Sequence, residues 1–267
     1  MHGLVDTHVH LDAAEFDADR DVVALAALQV GVAALVVPAV ERGNFDVVLS
    51  LCRRHPFCHP ALGIHPMYVD RAMPEDLQVL EQAIVTHQPV AIGEIGLDYF
   101  VEGHDAARQE FYFVEQLKLA RKYELPVLLH ARKAHDDILK HLRRIRVRGG
   151  IAHAFNGSRQ QAEAFIDLGF KLGFGGAMTW PRALRIRELA ATLPLEAIVL
   201  ETDAPDIPSA WLGRGGRNSP DQLPKIAQVL AELRGKTFEE IVDSTSTNVL
   251  DVLLKMHHLC TPPQVLL

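Results

Sequence analysis

The fragment DTHVH, residues 6 to 10, sets two imidazoles two residues apart behind a carboxylate. Alternate side chains of an extended strand share a face, so Asp6, His8 and His10 project together. Polar residues interrupt apolar runs again at His65 in GIH, Glu94 in GEIG, His130 in LLHA, His153 in IAHA and Asp203 in LETD. A single buried histidine is ordinarily a hydrogen-bonded core residue. Four imidazoles (His8, His10, His130, His153) and two carboxylates (Glu94, Asp203) gathered in one place are instead a ligand set for Zn, Mn or Fe, and less comfortably for Mg. Without a cation the carboxylates repel each other and the imidazoles want partners. Six ligands exceed what one open catalytic ion accepts. Two divalent cations share them through a bridging carboxylate, and Glu94 is the natural bridge because its strand lies between those supplying the others.

Positioning such a set needs elements that converge. Apolar, β-branched runs alternate with helical periodicity along almost the whole chain. The expected strands are LVDTH, VAALVVPAV, FCHPALGIH, VAIGEIG, PVLLHA, GIAHAF, FKLGFGG and AIVLETD. Helices are expected near 19–30, 44–55, 74–87, 104–123, 133–147, 158–168, 182–193, 220–234 and 238–254. Eight strand and helix units close naturally into an α/β barrel, the (β/α)8 or TIM barrel, with a doubly wound open sheet as the alternative. Catalytic groups of a barrel sit at the C-terminal ends of its strands, where all the polar interruptions fall. No repeat or linker divides the chain, so residues 1–267 are expected to form one domain with a core at about 4–254. The Pro- and Gly-rich APDIPSAWLGRGGRNSP is the longest expected loop, placed over the active face.

Bulk properties exclude several classes. Hydrophobic residues at 48% and charged residues at 23% match a soluble globular protein. A net charge of −7 supplies no overall field for a polyanion, so a phosphate must be attracted locally. Cys52, Cys58 and Cys260 form no CxxC pair, which points to reduced thiols in a cytoplasmic protein. No signal peptide or membrane span is expected. The basic run KHLRRIRVR at 140–148 fits a solvated helix face rather than a DNA track.

The motifs DTHVHLD, GIHP, GEIGLDY, LPVLLHAR, HAFNGS and LETDAP, in this order, resemble the TatD family of metal-dependent hydrolases, within the amidohydrolase-type barrels. The resemblance covers about residues 4–250, including RNSPDQLPKIAQVLAEL and STNVLDVL. It implies a TIM barrel with one metal held by His8, His10, Glu94 and Asp203 and the other by Glu94, His130 and His153. It also implies hydrolysis, with several members acting as DNases or 3′ to 5′ exonucleases. The chain departs from the common pattern at Met67, Tyr68, Ala154, Asn156 and Asp206, which border the pocket rather than supply ligands.

The chemistry expected is attack of an activated water on a phosphorus or carbonyl centre. Asp203 orients that water and accepts its proton. His65, on a strand that gives no ligand, is read as a donor to a substrate oxygen or leaving group, and Arg132 as a fork for phosphate. Asp6, Asp98 and Glu201 are read as supports for neighbouring backbone or imidazoles. Tyr68, Tyr99, Trp180 and Trp211 follow strands, where each could stack on a base or anchor a loop. The leading expectation is a metal-dependent phosphodiesterase or deoxyribonuclease acting on nucleic-acid ends, as a monomer without an obligate protein partner. Glu94 stands where a carbamylated lysine would favour amide cleavage. An amide or ester hydrolase and a noncatalytic metal-binding protein are the alternatives.

Overall fold

The computed structural model describes residues 3–253. Among these, eight strands form one parallel sheet in sequential order: β1 (Leu4–Asp6), β2 (Val32–Pro38), β3 (Cys58–Leu62), β4 (Ala91–Asp98), β5 (Val127–Arg132), β6 (Gly150–Ala152), β7 (Phe170–Phe174) and β8 (Ile198–Leu200). Sequential order alone would also suit a curled sheet. Backbone bonds join the first and last edges, from Thr7 N to Leu200 O at 3.1 Å and from Asp203 N to His8 O at 2.8 Å. The sheet is therefore a nearly closed barrel, and the doubly wound alternative is excluded.

Helices α1 (Arg20–Gln29), α2 (Phe45–Arg54), α3 (Asp76–His87), α4 (Ala106–Lys122), α5 (His135–Arg144), α6 (Arg159–Asp167), α7 (Leu184–Thr192) and α8 (Leu223–Arg234) follow the strands, and α9 (Phe238–Val252) comes last. Each lies within the range its periodicity predicts; Leu254, the last residue expected of α9, lies outside the described residues, as does Cys260. Alternate strand residues divide between two cores. Leu35, Leu62, Leu129, Ala152 and Leu200 face the helices. Val5, Val36, Ala61, Leu128, Ile151 and Val199 fill the barrel, where Val249, Leu250, Val252 and Leu253 at the end of α9 join them. Asn248 of α9 donates to Leu195 O and Ile198 O, and Ser246 to Gly3 O, which fastens the helix across the barrel's N-terminal end. The opposite end is thereby left as the open one.

The strands are shorter than the apolar runs. β1 stops at Asp6, β3 at Leu62, β6 at Ala152 and β8 at Leu200, so His8, His10, His65, His153 and Asp203 lie on the segments that leave the strands, while Glu94 and His130 lie within β4 and β5. The reason is a change of hydrogen-bond partner. Past the strand ends, carboxylates interleave with the remaining backbone bonds: Asp6 accepts from His8 N at 3.2 Å and Thr202 N at 3.0 Å, and Glu201 accepts from Ala154 N. No described helix is long and apolar enough to cross a membrane.

Candidate metal centre

Glu94 is almost fully buried and has imidazoles on both of its oxygens. Oε2 lies 3.1 Å from His8 Nε2 and 3.5 Å from His10 Nε2. Oε1 lies 2.9 Å from His153 Nε2, 3.0 Å from His130 Nδ1 and 3.4 Å from His65 Nε2. Asp203 Oδ1 stands 3.8 Å from His8 Nε2 and 3.7 Å from His10 Nε2. Two ring-nitrogen pairs also meet, His8 Nε2 with His10 Nε2 at 3.3 Å and His130 Nδ1 with His153 Nε2 at 3.4 Å.

These separations test whether the residues fit a cation. Donor atoms held by one ion at bonds of about 2.0–2.2 Å lie about 3–3.5 Å from one another. The observed distances fall in or near that range, and ring nitrogens brought so close to one another need a cation or a proton between their lone pairs. The donor atoms of His8, His10 and Asp203, of His8, Glu94 and His153, and of His65, Glu94 and His130 each fall within 4.8 Å of one another. The set fits a divalent cation.

Charge is distributed to the same end. Burial pushes His8 down to about 3 and His65 down to about 4, which keeps both rings neutral. Burial opposes the charge on His10 as well, but the Glu94 hydrogen bond and the Glu94 and Asp203 charges raise it to about 9. For Glu94 burial disfavours ionisation, and the surrounding imidazoles outweigh it and hold the carboxyl well below the usual range. Burial raises Asp203 to about 6 against the pull of His153 and His10. One carboxylate is thus kept ionised and the other is set near neutrality.

A second layer fixes these side chains. Asp98 accepts from His130 Nε2 at 2.9 Å, which turns Nδ1 of that ring toward Glu94. Asp6 ties the start of the His8 segment to Thr202, whose hydroxyl it takes at 2.6 Å. Glu201 lies 3.7 Å from His153 Nδ1, beyond hydrogen-bond reach, and acts on the ring through Ala154 N instead. A Cβ at Gly173 would collide with the Glu201 carboxylate, so only glycine leaves it room. Asp203 itself has φ 57°, a left-handed backbone uncommon outside glycine.

Helix α4 supplies two supports that sequence reasoning missed. Gln109 accepts from Asp98 N at 2.8 Å and donates to Asp98 O at 3.0 Å. Gln116 does the same to Ile64, accepting at 2.7 Å and donating at 3.0 Å, one residue before His65. Their seven-residue spacing on the buried side of an amphipathic helix was the available signal.

The centre floors a cavity of about 700 Å³ whose wall includes Asp12, Tyr68, Arg132, Asn156, Pro205 and Ile207. Arg132 stands at the rim with Nη1 3.6 Å from Asp98 Oδ2. The long loop after β8 contributes Pro205 to Ile207 to this wall, as expected. Trp180 donates to Pro208 O and Trp211 to Gln222, so both anchor loops. Ser158 caps α6, and Arg217 is tied to Asp19, 2.7 Å away. Asp12, unremarked in the sequence, reaches the wall and accepts from Asn44.

Comparison with known proteins agrees with this geometry. The family described as TatD-related DNase matches residues 5–254. An uncharacterised metal-dependent hydrolase of Escherichia coli K12, YjjV, is 42% identical over 247 residues, covering 91% of this chain and 95% of its own. A protein of Erwinia tasmaniensis named 3′-5′ ssDNA/RNA exonuclease TatD is 33% identical over 252 residues, covering 92% and 97%. The crystal structure of YjjV superposes with a TM-score of 0.89 at 41% identity, over 93% of this chain and 97% of the other. This chain belongs to the TatD-related DNase family and is a metal-dependent hydrolase with that family's barrel.

Proposed function

We propose that this protein is a two-metal phosphodiesterase that shortens DNA from an end, in the 3′ to 5′ direction. The observation that carries the reading is the division of Glu94: one oxygen faces His8 and His10, the two rings that Asp203 also approaches, and the other faces His130 and His153. His8, His10, Glu94 and Asp203 would hold one divalent cation, and Glu94, His130 and His153 the other. Bound cations of this kind polarise a phosphoryl oxygen and make water a nucleophile at neutral pH. The metal is Zn, Mn, Mg or Fe; the nitrogen-rich donors favour the transition ions.

Asp203, whose carboxylate stands on the cavity wall beside His8 and His10, holds the attacking water and takes its proton. His65 acts on the substrate rather than as a ligand. Its Nδ1 accepts from Met67 N at 3.1 Å, so the proton of the neutral ring sits on Nε2, which then donates to a phosphate oxygen or to the departing alkoxide. Arg132 at the rim clamps a non-bridging phosphate oxygen. The Erwinia tasmaniensis relative named a 3′-5′ ssDNA/RNA exonuclease supports nucleic acid as the substrate class.

The test is hydrolysis of end-labelled single-stranded DNA by the metal-reconstituted protein, beside a nitrophenyl ester and with Asp203→Asn as control. Metal-dependent shortening that falls by about 10²- to 10⁴-fold in the variant supports the reading, and the labelled end reports polarity. Intact DNA with a cleaved ester would move the assignment to carbonyl chemistry.

A further inference from the structure

We propose that Phe100, with Arg132 and Lys133, forms a seat for a nucleobase of single-stranded DNA beside the phosphodiester being cleaved. This rests on the phosphodiesterase reading above and names the group that the site recognises next to the phosphate.

Phe100 is 51% exposed, an unusual state for a phenylalanine at the edge of an otherwise buried centre. Two cations crowd its ring: Arg132 Cζ lies 4.2 Å and Lys133 Nζ 4.8 Å from the centroid. The placement follows from the barrel. Asp98 of β4 is in register with Arg132 of β5, and Tyr99 N donates to Arg132 O at 2.9 Å, so the residue after Tyr99 stands over the junction of the two strands that carry Glu94 and His130. A cation and ring pair at an exposed site is worth only about 0.5–1 kcal/mol, which alone gives little reason to leave the ring in water.

One carboxylate connects this ring to the metal centre. Asp98 Oδ1 accepts from Phe100 N at 2.8 Å and Val101 N at 3.2 Å, while Oδ2 accepts from His130 Nε2. The backbone that carries the ring is therefore held at a fixed offset from the imidazole beside Glu94. Arg132 lines the cavity itself. An aromatic surface for a base, beside cations for the flanking phosphates, is the combination that binds single strands without reading sequence. It also answers how a chain of net charge −7 attracts a polyanion: the positive charge is local, at the mouth. The sequence drew attention to the tyrosines and tryptophans, of which Trp180 and Trp211 spend their indole N–H groups on loop anchoring; Phe100 was passed over.

Two measurements test the seat. In the first, the metal-reconstituted enzyme cleaves an intact oligonucleotide and one lacking the base beside the labelled bond. Phe100→Ala is expected to lower the preference for the intact strand about tenfold, equal to about 1.4 kcal/mol, and Phe100→Trp to restore it. An unchanged preference in Phe100→Ala overturns the seat while leaving the nuclease reading in place. In the second, Asp203→Asn protein binds a strand carrying 2-aminopurine at that position. Stacking is expected to quench its fluorescence, and adding Phe100→Ala is expected to abolish the quenching. Quenching that persists without the ring overturns the proposal. If the wild-type protein leaves DNA uncut yet quenches in a Phe100-dependent way, the seat stands and the nuclease reading falls.

Discussion

Glu94 resolves at the residue scale a conflict that would otherwise destabilise the centre of the barrel, since five imidazole nitrogens are brought within 3.5 Å of its two oxygens. Its two oxygens are not interchangeable. Glu94→Gln replaces one of them with an amide nitrogen that cannot ligate, and on the proposed two-metal reading elemental analysis of the reconstituted variant is expected to fall from about two metal equivalents to about one or fewer. Asp98 makes a different prediction. Burial opposes its charge, but hydrogen bonds from His130, Phe100 and Val101 outweigh that and depress it from 3.8 to about 2. A carboxyl depressed in the folded state contributes stability above its ordinary value and loses it as the pH falls through the folded one. The contribution is about 2 kcal/mol, present above pH 3.8 and lost toward pH 2. Thermal melts of the metal-free protein and Asp98→Asn are expected to differ at pH 5 and to converge only toward pH 2. A constant gap across that range would show that Asp98 contributes through something other than its charge.

At the scale of elements, the strands end before most of the candidate ligands, and helix α4 supplies what the sheet no longer can. Gln109 and Gln116 each close a pair of hydrogen bonds on the backbone of one residue, Asp98 and Ile64. Gln109→Ala leaves the N–H and C=O of Asp98 unpaired and buried. The expected loss is about 2 kcal/mol, read as a fall of about 4–8 °C in Tm. Activity is expected to fall as well, because the displaced Asp98 no longer aligns His130; an unaltered rate at a lowered Tm would confine Gln109 to stability. Nothing in the propensity of α4 distinguishes these glutamines from solvated ones. Only their place on the helix's buried side does.

For the whole molecule, the barrel brings together side chains from positions 8 to 203 that have no local reason to meet. A cation that binds the folded state alone adds stability by mass action, about 2.7 kcal/mol at one hundred times its Kd. Chelation is expected to lower the melting temperature measured by calorimetry, and readdition of a transition ion to restore it. A melting temperature insensitive to both would argue against a bound metal in the folded protein. The amino-acid pattern alone dictates the alternation of strands and helices, since burial on both faces of a parallel sheet demands apolar runs and each covering helix demands its own periodicity. It also determined the donor types, because His8, His10, Glu94, His130, His153 and Asp203 interrupt runs that are otherwise apolar. Long-range contacts set where the strands stop, which atom of each ring faces Glu94, and that Asp98 serves His130 and Phe100 at once. Those outcomes depend on hydrogen bonds between residues such as Asp6 and Thr202, 196 positions apart, and pairings of that range carry no local pattern.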